Sequence, residues 1–123
     1  MNHLRLSSLP KTWLLDVDGT IVVHNGHLDN NENLLEGVKE FIEKLDKSDR
    51  IIFLTSRGKH FKEELEKFLS DNKIRFDQII YDLPFGERIL INDRKTSGLK
   101  TAYAINKSRN SRFEVILEID ESL

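Results

Sequence analysis

The chain has 123 residues, 38% hydrophobic and 33% charged, with a net charge of −2 and no cysteine. That is enough for one core without staples, and it excludes disulfides, zinc–thiolate sites and cysteine nucleophiles. Interspersed charges argue against a nucleic-acid partner, no apolar run approaches the ~20 residues of a membrane span, and the opening residues lack a signal-peptide core, so a cytoplasmic protein is expected.

In chain order, residues 1–11, closed by Pro10, read as an aperiodic lead-in. Trp13-Leu14-Leu15 is an apolar run that stops at Asp16, the pattern of a buried parallel strand. Asp16-Val17-Asp18-Gly19-Thr20 breaks the pattern with polar groups and a glycine. Ile21-Val22-Val23 leads into a polar loop over 24–31, read as a small hairpin or flap. From Asn33, the positions Leu34, Leu35, Val38, Phe41, Ile42 and Leu45 fall at helical spacing, with Asn30 or Asn31 as N-cap.

Ile51-Ile52-Phe53-Leu54 predicts a second strand, ending at Thr55-Ser56-Arg57-Gly58. A second amphipathic helix carries Phe61, Leu65, Phe68 and Leu69. Ile79-Ile80-Tyr81 predicts a third strand, and Pro84-Phe85-Gly86 a turn. Ile89-Leu90-Ile91 predicts a fourth strand, ending at Asn92-Asp93, and Ala102-Tyr103-Ala104-Ile105 a fifth. Residues 113–119 alternate apolar and polar, so residues 113–123 are a C-terminal strand or a partner-binding tail. Strand and helix alternate along one domain, 1–123, which predicts an α/β fold with a doubly wound parallel sheet.

Three of these strands end in reactive groups: Asp16 with Asp18, Thr55, and Asp93. In an open α/β sheet, ligands collect beyond the carboxyl ends of the strands, so all three clusters are expected on one rim. One aspartate after a strand is ordinarily a turn former or a cap. Two carboxylates two positions apart repel unless a cation lies between them or one is protonated. Mg²⁺ suits such a pair, because it takes carboxylate oxygens while keeping waters and a substrate phosphate. One carboxylate can then act as nucleophile and form an aspartyl-phosphate, while the other serves as general acid and base.

Asp16-Val17-Asp18-Gly19-Thr20, following its apolar strand, resembles the first motif of the haloacid dehalogenase-like superfamily of phosphatases. Thr55 is similar to the second motif of that superfamily, and Asp93 to its acidic fourth motif. The segment from Gly86 through Lys95 also resembles small cap-less members from bacterial capsule and surface-polysaccharide clusters. The resemblance implies a three-layer, Rossmann-like core. Too few residues separate Asp18 from Thr55, or Thr55 from Asp93, for a cap domain. It makes Asp16 the nucleophile and Asp18 the general acid/base. It gives Mg²⁺ to Asp16, Asp93 and the main-chain carbonyl of Asp18. Thr55 then binds a phosphoryl oxygen, with Ser56 beside it. The implied substrate is a small phosphorylated sugar or capsule-building metabolite.

The third motif of that superfamily is a lysine or arginine, often in a Lys-Pro pair, and here its place reads Leu83-Pro84. Arg57, Lys59, Arg88 and Lys95 are the candidates to replace it, with Lys59 and Arg88 preferred. Without a cation at the site, turnover is expected to be weak, since electrostatic clamping carries much of phosphoryl transfer. His24 and His27 read as exposed loop residues, and Lys107, Arg109 and Arg112 as a solvated basic patch. An open, uncapped site needs water excluded by the 24–31 flap, by a neighbouring subunit or by a bulky substrate, so a homo-oligomer is expected. The competing readings are a non-catalytic phosphate-binding relative and a phospho-receiver domain. The receiver is disfavoured because here the threonine precedes the later aspartate.

Overall fold

The computed structural model describes residues 2–123. Its larger sheet has three parallel strands, β2 (Thr12–Asp16), β3 (Arg50–Leu54) and β4 (Gln78–Ile80), in the spatial order β2-β3-β4. Helix α1 (Val38–Lys44) lies between β2 and β3 in the chain; a 3₁₀ turn (Lys59–Phe61) and α2 (Lys62–Asp71) lie between β3 and β4. Both crossovers step in the same direction across the sheet, and right-handed crossovers of that kind put both helices on one face. The side chains agree. Ile51 and Phe53 are fully buried on the face where Trp13 meets Phe41 of α1 edge-on, at 5.5 Å. On the opposite face Leu14 is 45% exposed, and Ile52 and Leu54 are only half-buried.

Two further strands, β1 (Asn2–Leu6) and β5 (Val115–Ile119), form a separate parallel pair with Leu4 opposite Leu117. The segment read as a lead-in therefore contains a strand. Its partner lies more than a hundred positions away, beyond any local pattern, and ion pairs from Arg5 to Asp120 and Glu118 fasten it. A cavity of about 550 Å³ separates this pair from the main sheet, lined by Leu6, Trp13, Phe41, Leu45, Val115 and Leu117 among others.

Three other expectations change. Residues 89–91 and 102–105 form no strand, and Ile89 and Ile91 are 84% and 91% exposed. An apolar run predicts a strand only if a neighbouring strand accepts its hydrogen bonds, and among the described residues none does. The first helix begins at Val38 after Gly37, not near Asn30 or Asn31. Residues 33–35 are already engaged in extended pairing: Val23 N–H donates to Asn33, Leu35 N–H donates to Ile21, and Leu34 bridges Val22. The fold is α/β with parallel strands in two sheets. Its main core joins Val17, Ile21 and Val22 after β2 to Val38, Phe53, Leu65 and Leu69, all at or near zero exposure. Each large side chain so buried contributes roughly 1.5–3 kcal/mol.

Candidate active site

The register of β2 on β3 sets Asp16 opposite Leu54, so Asp16 and Thr55 lie at the same end of the parallel sheet. Beyond Asp16 the chain turns sharply. Gly19, Thr20, Ile21 and Val22 all have their N–H groups engaged within this loop, three of them on the carbonyl of Val17. Gly19 carries a φ of +82°, which a side chain would strain. It also makes room for Arg109, whose Cγ lies 3.2 Å from where a Cβ on Gly19 would stand. Asn110 closes the same loop: its N–H donates to Gly19 (2.9 Å), and its Oδ1 accepts from the N–H of His24 (2.8 Å).

The two carboxylates have different surroundings. Asp16 is half-exposed; its Oδ2 accepts from the Thr20 hydroxyl at 2.9 Å and its Oδ1 pairs with Arg88 Nη1 at 2.7 Å. Asp18 is less accessible and accepts twice from Arg57, from Nε at 3.0 Å and from Nη2 at 2.9 Å. The same guanidinium donates twice more to Glu32, at 2.9 and 2.8 Å. Burial pulls the Arg57 pKa down, but the hydrogen bonds and charges of Asp18 and Glu32 outweigh it and hold it above the ordinary arginine value. Arg57 thus ties the strand-end loop (Asp18) to Glu32, just past the 24–31 flap, through one planar fork, a geometry lysine cannot supply.

His27 packs under this cluster. Its ring meets Phe61 edge-on at 4.7 Å, and its Nδ1 is buried, 3.8 Å from Asp18 Oδ1 and, among the described residues, without a hydrogen-bond partner. Burial, then the charge of Arg57, lowers its pKa, against the opposing pull of Asp18, Glu32 and Glu64. The reading of His27 as an exposed loop residue is therefore corrected: its side chain is only 7% exposed. Glu32 and His27 sit in a polar loop with no local signal. Only the demand that a buried Arg57 be balanced by acids points to Glu32.

Of the other expected site residues, Thr55 is 1% exposed, and its Oγ1 accepts from the Arg57 N–H at 3.0 Å. Ser56 Oγ donates to the Pro84 carbonyl at 3.4 Å. Lys59 is exposed, and its backbone N–H donates to Asp82. The cations on the acidic pair are Arg57 and Arg88; of the two preferred candidates, only Arg88 reaches Asp16. Arg109, read as part of a solvated patch, lies against the glycine of the loop. Asp93 stands apart on an exposed segment, its carbonyl held by the Thr101 hydroxyl. Among the described residues no three acidic or histidine side chains converge on a metal position. The single chain therefore supplies Asp16 and Asp18 to the rim but not the third acid, and as it stands it does not fit a Mg²⁺ cage. Among the described residues no helix is long and apolar enough to cross a membrane. No protein-family model, no curated protein and no solved structure matches this chain.

Proposed function

We propose that this chain is a phosphomonoester hydrolase of the haloacid dehalogenase-like type, acting through an aspartyl-phosphate on Asp16. The observation that carries the reading is the asymmetry of the acidic pair. Asp16 is the accessible carboxylate at a strand end with a partly exposed cation beside it, whereas Asp18 is held from behind by a buried arginine. In the first half-reaction an Asp16 oxygen attacks phosphorus, the ester P–O bond breaks, and the leaving alkoxide takes a proton from Asp18. Asp18 accepts from Arg57 through both oxygens, so it must release at least one before it can carry that proton. Glu32 can keep the guanidinium in place meanwhile, through Nη1 and the Nη2 it shares with Asp18. In the second half-reaction Asp18 removes a proton from water, which attacks phosphorus and frees Asp16 and inorganic phosphate.

Arg88 is positioned to follow charge from the free carboxylate to the phosphoryl group, the task of the missing lysine. The sequence resemblance gives Mg²⁺ to Asp16, the Asp18 carbonyl and Asp93, where it would supply Lewis-acid stabilisation of the phosphoryl oxygens; with Asp93 apart from the rim, no step here is routed through the ion. The open rim suits a small phosphorylated metabolite, a sugar phosphate in the reading drawn from sequence. A second reading, phosphate binding without turnover, has one observation in its favour: both oxygens of Asp18, the expected acid and base, are engaged.

Hydrolysis of p-nitrophenyl phosphate with Mg²⁺, alongside Asp16→Asn and a chelator, separates the two. Hydrolysis lost in both controls supports the enzyme. Beryllium fluoride binding at the rim without any hydrolysis supports the second reading.

A further inference from the structure

A short turn, residues 107–111, lies against the loop that follows Asp18. It is folded back on itself: the Ser111 N–H and hydroxyl both donate to the Ser108 carbonyl, at 3.1 and 2.7 Å, and the Lys107 ammonium donates to the Ser111 carbonyl. Asn110 takes a φ of +59°, a left-handed conformation that asparagine tolerates better than most residues. Its N–H on the Gly19 carbonyl and its Oδ1 on the His24 N–H fasten the turn to the loop at two points. A side chain carried on such a turn is held at a fixed place on the rim.

Lys107, Asn110 and Ser111 use their side chains to hold the turn together or in place. Arg109 does not. Its stem runs along Gly19, so close that a Cβ on that glycine would stand 3.2 Å from the arginine Cγ. Arg109 is exposed and, among the described residues, meets no carboxylate, whereas its neighbour Arg112 pairs with Glu36 and Glu114. The other rim arginines are already matched: Arg57 to Asp18 and Glu32, Arg88 to Asp16. Three carboxylates against two guanidiniums leave one negative charge in excess, which repels an anionic substrate. Arg109 is the cation set beside them with no acid of its own, and a guanidinium fork suits carboxylate or phosphate oxygens.

Gly19 directly follows Asp18, so Arg109 stands on the Asp18 side of the rim and Arg88 on the Asp16 side. In the reaction proposed above, Asp16 faces phosphorus and Asp18 faces the leaving oxygen. Arg88 then serves the phosphoryl group, and Arg109 the half of the substrate that departs. We propose that Arg109 is a specificity-determining residue that binds a second anionic group on the leaving half of the substrate. The preferred substrate is then a phosphomonoester whose alcohol itself carries a carboxylate or a further phosphate. Placing that anion on the leaving half rests on the phosphatase reading; the capture of a second anion by Arg109 does not.

The test is calorimetric titration of the full chain carrying Asp16→Asn, so that binding is read without turnover. The ligands share one ring and one phosphate: glucose 1-phosphate, glucuronic acid 1-phosphate, which adds a carboxylate, and glucose 1,6-bisphosphate, which adds a phosphate. At least one of the two doubly anionic compounds should bind ~10-fold or more tightly than glucose 1-phosphate, the scale of charge-assisted hydrogen bonding; which of them does so names the second anion. Adding Arg109→Gln should bring that ratio close to one. Arg109→Lys should leave it in between, because a point charge keeps the attraction but not the fork. A merely structural effect of the substitution weakens all three ligands alike and leaves the ratio intact. A ratio that survives Arg109→Gln, equal binding of the three compounds before that change, or no binding of any of them overturns the proposal. Phosphate release by the parent chain is a separate readout: its absence, with an Arg109-dependent ratio present, sinks the phosphatase reading and leaves the anion site standing.

Discussion

Arg57 and Asp18, 39 positions apart, form a two-pronged ion pair in which Nε and Nη2 each meet a different carboxylate oxygen. Because Glu32 accepts from the same guanidinium, one buried cation holds both the strand-end loop at Asp18 and the chain just past the flap. Removing it leaves two carboxylates facing each other with little access to water. Breaking a buried pair in this way costs ~3–5 kcal/mol. Arg57→Ala should lose that much stability in urea denaturation, and Arg57→Lys should recover only part of it, since a point charge cannot make two forked pairs. A loss below about 1 kcal/mol for Arg57→Ala, the range of surface ion pairs, would mean that this cluster does not hold the flap.

Asp16 and Asp18 should separate cleanly under mutation if Asp16 is the nucleophile. Asp16→Asn removes the attacking oxygen and should lower turnover by at least ~10³-fold, among the larger single-residue losses in enzymes that act through a covalent intermediate. Asp18→Asn leaves the attack possible but removes the group that activates water, so a phosphoryl adduct should accumulate. Intact-mass measurement after exposure to substrate checks this. An adduct that survives Asp16→Asn would move the nucleophile elsewhere.

His27 links the site to pH. Its pKa is lowered in the fold, chiefly by burial, so the folded chain keeps the ring neutral where the unfolded chain begins to protonate, near 6.5. Below that value the unfolded state binds more protons, and stability falls as pH drops from about 6.5 toward the lowered folded value. Above it the term is constant. Urea midpoints measured at pH 7.5 and 5.5 should differ more for the parent chain than for His27→Phe, which retains the edge-on contact with Phe61 but cannot titrate. Equal pH slopes in the two proteins would show that His27 is free to protonate in place.

What could be read from sequence follows the range of the interaction responsible. β2, β3, β4 and α2 were legible because each carries its apolar period within a few residues, and Asp16 and Thr55 fall at the strand ends that the periods mark. β1 was not, because Asn2–Leu6 becomes a strand only through Val115–Ile119. Residues 89–91 failed in the other direction: the run has the right composition, but among the described residues no strand receives it. At the site, Arg57 stood among the candidates because it follows a strand, yet its two acceptors come from different loops. The preferred Lys59 was displaced by a residue two positions earlier whose geometry, not charge, decides the outcome.

Gly37 offers a test of how α1 is set. It precedes the helix with a φ of +91°, in the left-handed region, and a Cβ there would press into the carbonyl oxygen of Phe113. That carbonyl is fixed, because the Phe113 N–H donates to Glu36 at 2.8 Å and the Phe113 ring packs on Phe41 at 4.7 Å. The C-terminal segment therefore closes over the start of α1 only where no side chain intervenes. Gly37→Ala adds the left-handed penalty of ~1–2 kcal/mol to the displacement of Phe113, so its total loss of stability should exceed that figure. Since β5 follows directly from Phe113, hydrogen exchange in Val115–Ile119 and in its partner Asn2–Leu6 should accelerate together in this variant. Faster exchange confined to α1, with the β1–β5 pair unchanged, would show that the C-terminal strand is anchored independently of this contact.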